Sequence, residues 1–397
     1  MRMPMVQALL NEGHQIQLLM RPPAADLARD LFPELEVHVI ERDPYHPEAK
    51  KQRHPFRTDF RAIRNFSPDL YVAGAFQLTF LDEEWIRKGD ESVPVVGFEA
   101  NERRWFTDTI TDPSELAARF AVKVRVPIEM PEEEKYQQMA DALLGRRVIS
   151  EPPRQPSKAA LEEAKLLMQK QGLEAGKFLV ICVGNRPGLV MKDWGEGNWT
   201  SLLEKVAKEE DRTLLFLGNP KESASIERIR SGLPPLARHL SLSQEPPSIA
   251  VSYALVSLCG GYLGRDSGVM HMAAATGRPL LALFGGGHWP RFLPQAGVGV
   301  VVNRSTPCRG CNFICPFPEP YCITSIPMEG VLEAWGRIDE GQRLRVVELP
   351  AEGCLGEKAA ETDVATVSWE RQLERRRNWK EARRTGWWSA IMSVFNR

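Results

Sequence analysis

The amino-acid sequence predicts an α/β chain of two domains, each a parallel sheet covered by helices. Three observations carry this expectation. The chain has 397 residues, more than one hydrophobic core ordinarily holds. Strand-like apolar runs alternate with helix-like amphipathic runs from Pro4 to about Phe98, the pattern of βαβ units on a parallel sheet. The alternation breaks at a proline-rich polar stretch, "SEPPRQPSK" over 150–158, and then restarts.

In the first half, "MPMVQALLNEG" reads as a helix closed by Gly13, and "HQIQLLM" as the strand after it. "DLARDLF" is helical and "EVHVI" extended. "FRTDFRAIRNF" is a helix stopped before Pro68, "DLYVAGAF" a buried-type strand, and "VPVVGF" another strand. After the break, "SKAALEEAKLLMQKQG" is a helix, "KFLVICVG" a strand, "WTSLLEKVAKE" a helix and "TLLFLG" a strand. Two helices, "KESASIERIRSG" and "SIAVSYALVSL", precede the strand "GGYLG", the helix "SGVMHMAAATG" and the strand "PLLALFGG". The expected division is an N-terminal domain at 1–150, a linker and helix at 151–174, a C-terminal domain at 175–345 and a tail at 346–397.

Composition narrows the function. Hydrophobic residues at 43% and charged residues at 26% describe an ordinary globular protein, and a net charge of −1 offers no bulk attraction for nucleic acid. No apolar run approaches the length of a membrane span, and the opening residues lack the layout of a signal peptide. Of the seven cysteines, Cys182, Cys259 and Cys354 are scattered and four crowd into one loop, which is not a disulfide framework, so a cytoplasmic protein is expected.

The chemistry-bearing residues gather at strand ends, where open parallel sheets bind ligands. Arg265, Asp266, Ser267 and Gly268 stand at one such end, immediately before a helix whose free N–H groups and dipole favour an anion. Gly268 allows close approach of a ligand, and His271 lies one turn into the helix. Asp266 and Ser267 could equally be plain helix caps, with His271 packed inside. The next strand ends on Gly285, Gly286, Gly287 and His288, a bare-backbone nest for an anion or an ordinary turn, with Arg291 nearby as a further donor. Lys192, in the loop after the first strand of the second half, is a counter-charge for a diphosphate or a surface lysine. Glu222 opens a helix after the second strand, where it can hold ribose hydroxyls or simply favour the dipole.

Lys192, Glu222 and the run Asp266-Ser267-Gly268, His271, Gly277, Pro279 and Phe284–Gly285 together resemble glycosyltransferase family 9, the heptosyltransferase-like enzymes of bacterial surface polysaccharide assembly. The likeness is specific over roughly 175–337 and fainter over 4–100. It implies a GT-B fold, two Rossmann-like doubly wound domains facing across a cleft, with the nucleotide sugar on the second domain and the acceptor on the first. It implies inverting transfer without a catalytic metal, most simply of heptose from ADP-heptose to a lipopolysaccharide, other surface glycan or protein acceptor. By the same resemblance Lys192 neutralises the donor phosphates, Glu222 holds the ribose and Asp266 orients the sugar. Ser267, Gly268 and His271 line the diphosphate site, where Gly286, Gly287 and His288 add donors.

The family opens with a strand and an aspartate-bearing loop, the proposed base, a few residues before the position of Pro4. Here the chain begins at Met1, while Asp26 and Asp30 lie too far along to replace that aspartate. Either the start is misplaced or the protein lacks a first strand, a central piece of the sheet; the consistent remaining pattern favours the former. Asp266 is left as a candidate catalytic group. Arg265, where the family often carries Asn, is a smaller departure. Two other readings stand beside the transferase: a nucleotide-sugar-binding subunit without catalysis, and a nucleotide-sugar epimerase.

The loop 308–322 has the spacing C-x2-C-x3-C-x6-C, so Cys308, Cys311, Cys315 and Cys322 could wrap a structural zinc or iron, or remain as buried thiols or a disulfide pair. In the tail, residues 369–397 carry eight basic against three acidic residues among several tryptophans. That composition suits either peripheral contact with an anionic inner-membrane face or a helix packing back on the protein.

Overall fold

Among the described residues every strand pair is parallel, as a succession of βαβ crossovers requires. The computed structural model describes residues 2–22, 24–41, 53–74, 78–99, 116, 118–127, 129–149, 152–185, 190–209, 212–294, 297–304, 306, 308–311, 315, 319–338 and 344–349. Cys354 and the basic tail expected to contact membrane or pack back lie outside the described residues. The chain divides into two units, Met1–Arg154 and Gln155–Arg397.

The first unit runs α1 (Met3–Asn11), β1 (Gln17–Met20), α2 (Ala24–Leu31), β2 (Glu36–Val39), α3 (Arg53–Phe66), β3 (Tyr71–Ala73), α4 (Phe80–Lys88), β4 (Val95–Glu99), β5 (Phe120–Arg125) and α5 (Glu132–Leu144). Pro4 sits in the first turn of α1, where its missing N–H costs nothing. Among the described residues the strands form two sheets, β1-β2 and β3-β4-β5. The helix α4 serves both. Its Phe80 and Leu81 pack with Leu19 and Ile40 on the first sheet, while Ile86 packs with Ala73, Val95 and Phe120 on the second. A reciprocal capping box fixes its start, with the Asp82 carboxylate accepting from the Thr79 N–H at 2.7 Å and hydroxyl at 2.8 Å.

The second unit begins with α6 (Lys158–Gln171), capped by Ser157 Oγ accepting from the Ala160 N–H at 3.1 Å. Then come β6 (Phe178–Cys182), α7 (Glu196–Glu209), β7 (Thr213–Phe216), α8 (Ser223–Ser231), β8 (His239–Ser241), α9 (Ile249–Leu258), β9 (Gly261–Arg265), α10 (Gly268–Ala275) and β10 (Pro279–Phe284). β11 (Val298–Arg304), α11 (Tyr321–Thr324), α12 (Met328–Gly336) and β12 (Arg345–Leu349) complete it. The seven strands form one sheet in the order β12-β11-β10-β9-β6-β7-β8.

Alternate residues of each strand feed opposite cores, which is why the strands read as unbroken apolar runs. Phe178, Val180, Tyr262, Leu280 and Ala282 meet Ala160, Ala164, Val251, Ala254 and Ala273 from α6, α9 and α10 on one face. Leu179, Ile181, Leu214, Leu263 and Leu281 meet Trp199, Leu202, Ile226, Ile229 and Val331 from α7, α8 and α12 on the other. The helix after the proline-rich break is thus a core layer of the second unit. β6 and β9 lie unusually close: a Cβ on Gly264 would stand 2.5 Å from the Cys182 carbonyl oxygen.

Candidate functional site

A doubly wound sheet forms a ligand crevice where strand order reverses, outside the carboxyl ends of its strands. In the second unit that point lies between β6 and β9, since β7 and β8 extend the sheet one way and β10, β11 and β12 the other. Two ion pairs span it. Lys192, on a single helical turn at Val190–Lys192 after β6, places Nζ 2.6 Å from Asp266 Oδ2 and 3.3 Å from the Asp266 carbonyl oxygen, just beyond β9. Arg265, the last residue of β9, places Nη2 2.5 Å from Glu222 Oε1 at the start of α8.

Both pairs are largely withdrawn from water, with side-chain exposures of 18% and 9% for Lys192 and Asp266, and 9% and 15% for Arg265 and Glu222. A lone charge so placed is costly, so each ion requires its partner or a ligand that replaces it. Glu222 is held further by Asn219, whose backbone N–H and side-chain Nδ2 donate to Oε2 at 3.1 and 2.7 Å. Arg265 Nη1 is buried without a hydrogen-bond partner.

Ser267 caps α10, its Oγ accepting from the Met270 N–H at 3.2 Å. The buried Tyr262 hydroxyl donates to the Arg265 carbonyl at 2.7 Å and lies 3.0 Å from Ser267 Oγ, so it braces the whole turn from beneath. Above Gly268 the space is open, since a Cβ there would meet nothing within 4 Å. The capping reading of Ser267 and an open helix start therefore hold together.

His271 is half-buried with Nδ1 enclosed and unpartnered, and burial, with Lys192 adding, pushes its pKa down to about 3. The imidazole is thus neutral at pH 7. The unfolded chain takes up a proton at His271 that the folded chain refuses, so stability is lost as pH falls from about 6.5 toward 3. NMR titration is expected to show no charging of His271 above pH 5; an inflection near 6.5 would contradict this burial.

The end of β10 approaches the same crevice. A Cβ on Gly285 would stand 3.2 Å from the Met191 carbonyl, which joins this strand end to the turn carrying Lys192. Gly286 and Gly287 are buried in a short helical turn with His288, whose ring stands edge-on to Phe292 at 4.5 Å. Arg291 lies over the same Phe292 ring.

With this geometry in hand, comparison with known proteins is decisive. Residues 116–311 match the family model for glycosyltransferase family 9 (heptosyltransferase). Just under half of the chain thus resembles a glycosyltransferase family 9 domain. Lipooligosaccharide heptosyltransferase 2 of Haemophilus influenzae is 32% identical over 95 residues, 24% of this chain and 27% of that protein, so the match spans about a quarter of the curated relative. The structure of E. coli ADP-heptose LPS heptosyltransferase II is similar with a TM-score of 0.59 at 18% identity, covering 84% of this chain and 94% of that one. E. coli heptosyltransferase WaaC with ADP gives 0.50 at 16% identity, covering 75% and 86%. These likenesses show the GT-B type of α/β fold expected from the sequence.

Gly286 lies close against its neighbours, where a Cβ would stand 3.3 Å from Thr306 Oγ1 and 3.4 Å from the Cys322 Cβ. The four-thiolate zinc or iron site at Cys308, Cys311, Cys315 and Cys322 finds no support. Among the described residues no group of three or more His, Cys, Asp or Glu is placed to share an ion. Each thiol has its own local setting. Cys308 Sγ lies 3.5 Å from Thr306 Oγ1, Cys315 Sγ donates to the Glu319 carbonyl at 3.6 Å, and Cys322 sits beneath Gly286. Burial holds Cys322 protonated, with its pKa raised to about 11. All four are thiols, and none is in a disulfide.

Sequence reasoning placed Arg265 at the ligand-binding strand end and noted it as a departure from the family, without giving it a role, and missed Tyr262 and Asn219. The signal for Arg265 was a charged residue ending an otherwise apolar central strand. Tyr262 carried none, because its place next to Ser267 depends on the tertiary turn.

Proposed function

We propose that the second unit binds a nucleotide sugar at the β6–β9 crevice and that the protein transfers the sugar, heptose from ADP-heptose, to a bacterial surface glycan. The observation that supports this most is the pair of ion bridges crossing the switch point of a family 9 domain. Lys192 meets the diphosphate, Glu222 the ribose and Asp266 the sugar. Ser267, Gly268 and His271 line the phosphate side, with Gly287 and His288 at its edge. Two related solved proteins agree in chemistry: WaaC was solved with ADP, and heptosyltransferase II is described as using ADP-heptose.

As the bond to the anomeric carbon breaks, negative charge builds on the departing diphosphate. Lys192 and the N-terminal end of α10 face that charge, which stabilises the transition state more than the ground state. Asp266 leaves Lys192 when phosphate arrives and becomes an acceptor for sugar hydroxyls. A metal has no part in this scheme. The acceptor is placed at an anionic membrane face, which the basic composition of residues 369–397 suits.

Incubation with ADP-heptose and a heptose-deficient lipopolysaccharide acceptor is expected to release ADP and add one heptose by mass spectrometry. Binding of ADP-heptose by calorimetry without release would favour the non-catalytic binding subunit. Preference for a UDP-sugar would replace the donor, and no binding of either would reject the site.

A further inference from the structure

We infer that Cys315 and Cys322 form a reversible thiol–disulfide pair, oxidised by a small disulfide such as oxidised glutathione, and that closing the bond slows sugar transfer. The effect on transfer rests on the nucleotide-sugar reading above; the covalent step does not.

The four thiols of the segment 308–322 differ in what can reach them. Cys308, Cys311 and Cys322 are buried, whereas Cys315 is half-exposed. Cys315 Sγ donates to the Glu319 carbonyl at 3.6 Å. That same carbonyl accepts from the Tyr321 N–H at 3.0 Å, one residue before Cys322, so both cysteines close onto one short turn. They also sense each other: burial, with Cys308 and Cys315 adding, raises the Cys322 pKa to about 11.

A thiol is oxidised through its thiolate and only where an oxidant can enter, so the reaction starts at Cys315. Its sulfur loses a proton, attacks one sulfur of the small disulfide and breaks that S–S bond. The departing half leaves as a thiolate and takes up the proton. Cys322 then loses its proton and attacks the Cys315 sulfur of the mixed disulfide, expelling the second small thiol. The chain has given up two electrons and two protons, and the small disulfide has become two thiols. Burial of Cys322 makes the second attack the slow one, so the mixed disulfide at Cys315 forms first.

The bond reaches the site through Cys322. Its Sγ lies 3.8 Å from where a Cβ on Gly285 would stand and 3.5 Å from one on Gly286. The thiol thus fills the space those glycines leave at the end of β10. Gly285 in turn abuts the Met191 carbonyl on the turn that carries Lys192. A disulfide holds its two sulfurs at ~2.05 Å, which turns Cys322 Sγ toward Cys315 and off the glycines. The strand end loses its backing, and with it the turn that presents Lys192.

The full chain is incubated with oxidised glutathione, alkylated under denaturing conditions and mapped by peptide mass spectrometry. A Cys315–Cys322 cross-link is expected, reversed by dithiothreitol. Cys322→Ser should stop at the glutathione adduct on Cys315, Cys315→Ser should give neither product, and Cys308→Ser should still cross-link. No Cys315–Cys322 link, or one formed equally well with another cysteine, overturns the pair. ADP release from ADP-heptose should fall by about fivefold or more in the oxidised chain and recover with dithiothreitol. In Cys322→Ser the rate should not respond to the oxidant. A cross-linked chain with unchanged turnover overturns the coupling to the site. A reduced chain that turns over no donor defeats the transferase reading itself, a result distinct from the mass of the cross-link.

Discussion

Lys192→Met lowers sugar transfer by about two to three orders of magnitude, the loss expected when a preset donor to developing charge is removed. Lys192 is the cation at the β6–β9 crossing, 2.6 Å from Asp266 and backed by its carbonyl. The variant also leaves Asp266, 9% exposed, without its counter-ion, which costs stability of ~1–3 kcal/mol. The two effects are separable. In Lys192→Met/Asp266→Asn both charges are gone, so thermal stability should recover while turnover does not. Turnover is read as ADP release at saturating donor, below the melting temperature of each variant. Recovery of turnover in the double variant would show that Lys192 only neutralises Asp266 and has no role toward phosphate.

Gly299→Ala is the most damaging small substitution expected in the sheet. Gly299 lies in β11 with φ +124°, and a methyl group there would overlap the backbone carbonyl of the fully buried Leu280 in β10. Neither strand can move aside, because β10 is flanked by β9 and β11 and covered on both faces. Strain and overlap together should cost ~3 kcal/mol or more. Gly277→Ala is the control. Its φ of +67° carries the same kind of strain, but a Cβ would meet nothing within 4 Å. That change should cost ~1–2 kcal/mol. Urea unfolding midpoints compare them, and equal losses would remove backbone overlap as the cause.

The second unit was the more legible half of the sequence, for a physical reason. Its strands are buried on both faces, so "FLVIC" and "LLALF" are apolar without interruption and their bounding residues stand out. Gly264 and Asp266 mark a strand end by composition alone. β8, with the three residues His239–Ser241, β12 and the buried β11 were not read; β8 and β12 are edge strands, which need neither length nor continuous apolarity. In the first unit β5 and α5 escaped notice, since Phe120–Arg125 mixes charge with Val and the helix opens on three glutamates. At the site, residue identity pointed to Lys192, Glu222 and Asp266, but the partners of each could not be read. That Lys192 answers Asp266 and Arg265 answers Glu222 is a property of strand order, set by contacts between residues 43 and 74 positions apart.

The two small sheets of the first unit have a mechanical consequence. Among the described residues their strands share no backbone ladder, so what couples them is side-chain packing, with α4 contributing to both. Cooperative melting of that unit thus depends on a nine-residue rod gripping one sheet with Phe80 and Leu81 and the other with Ile86. Loosening either grip would let the halves open one at a time, a failure unavailable to the second unit, whose seven strands are laced edge to edge.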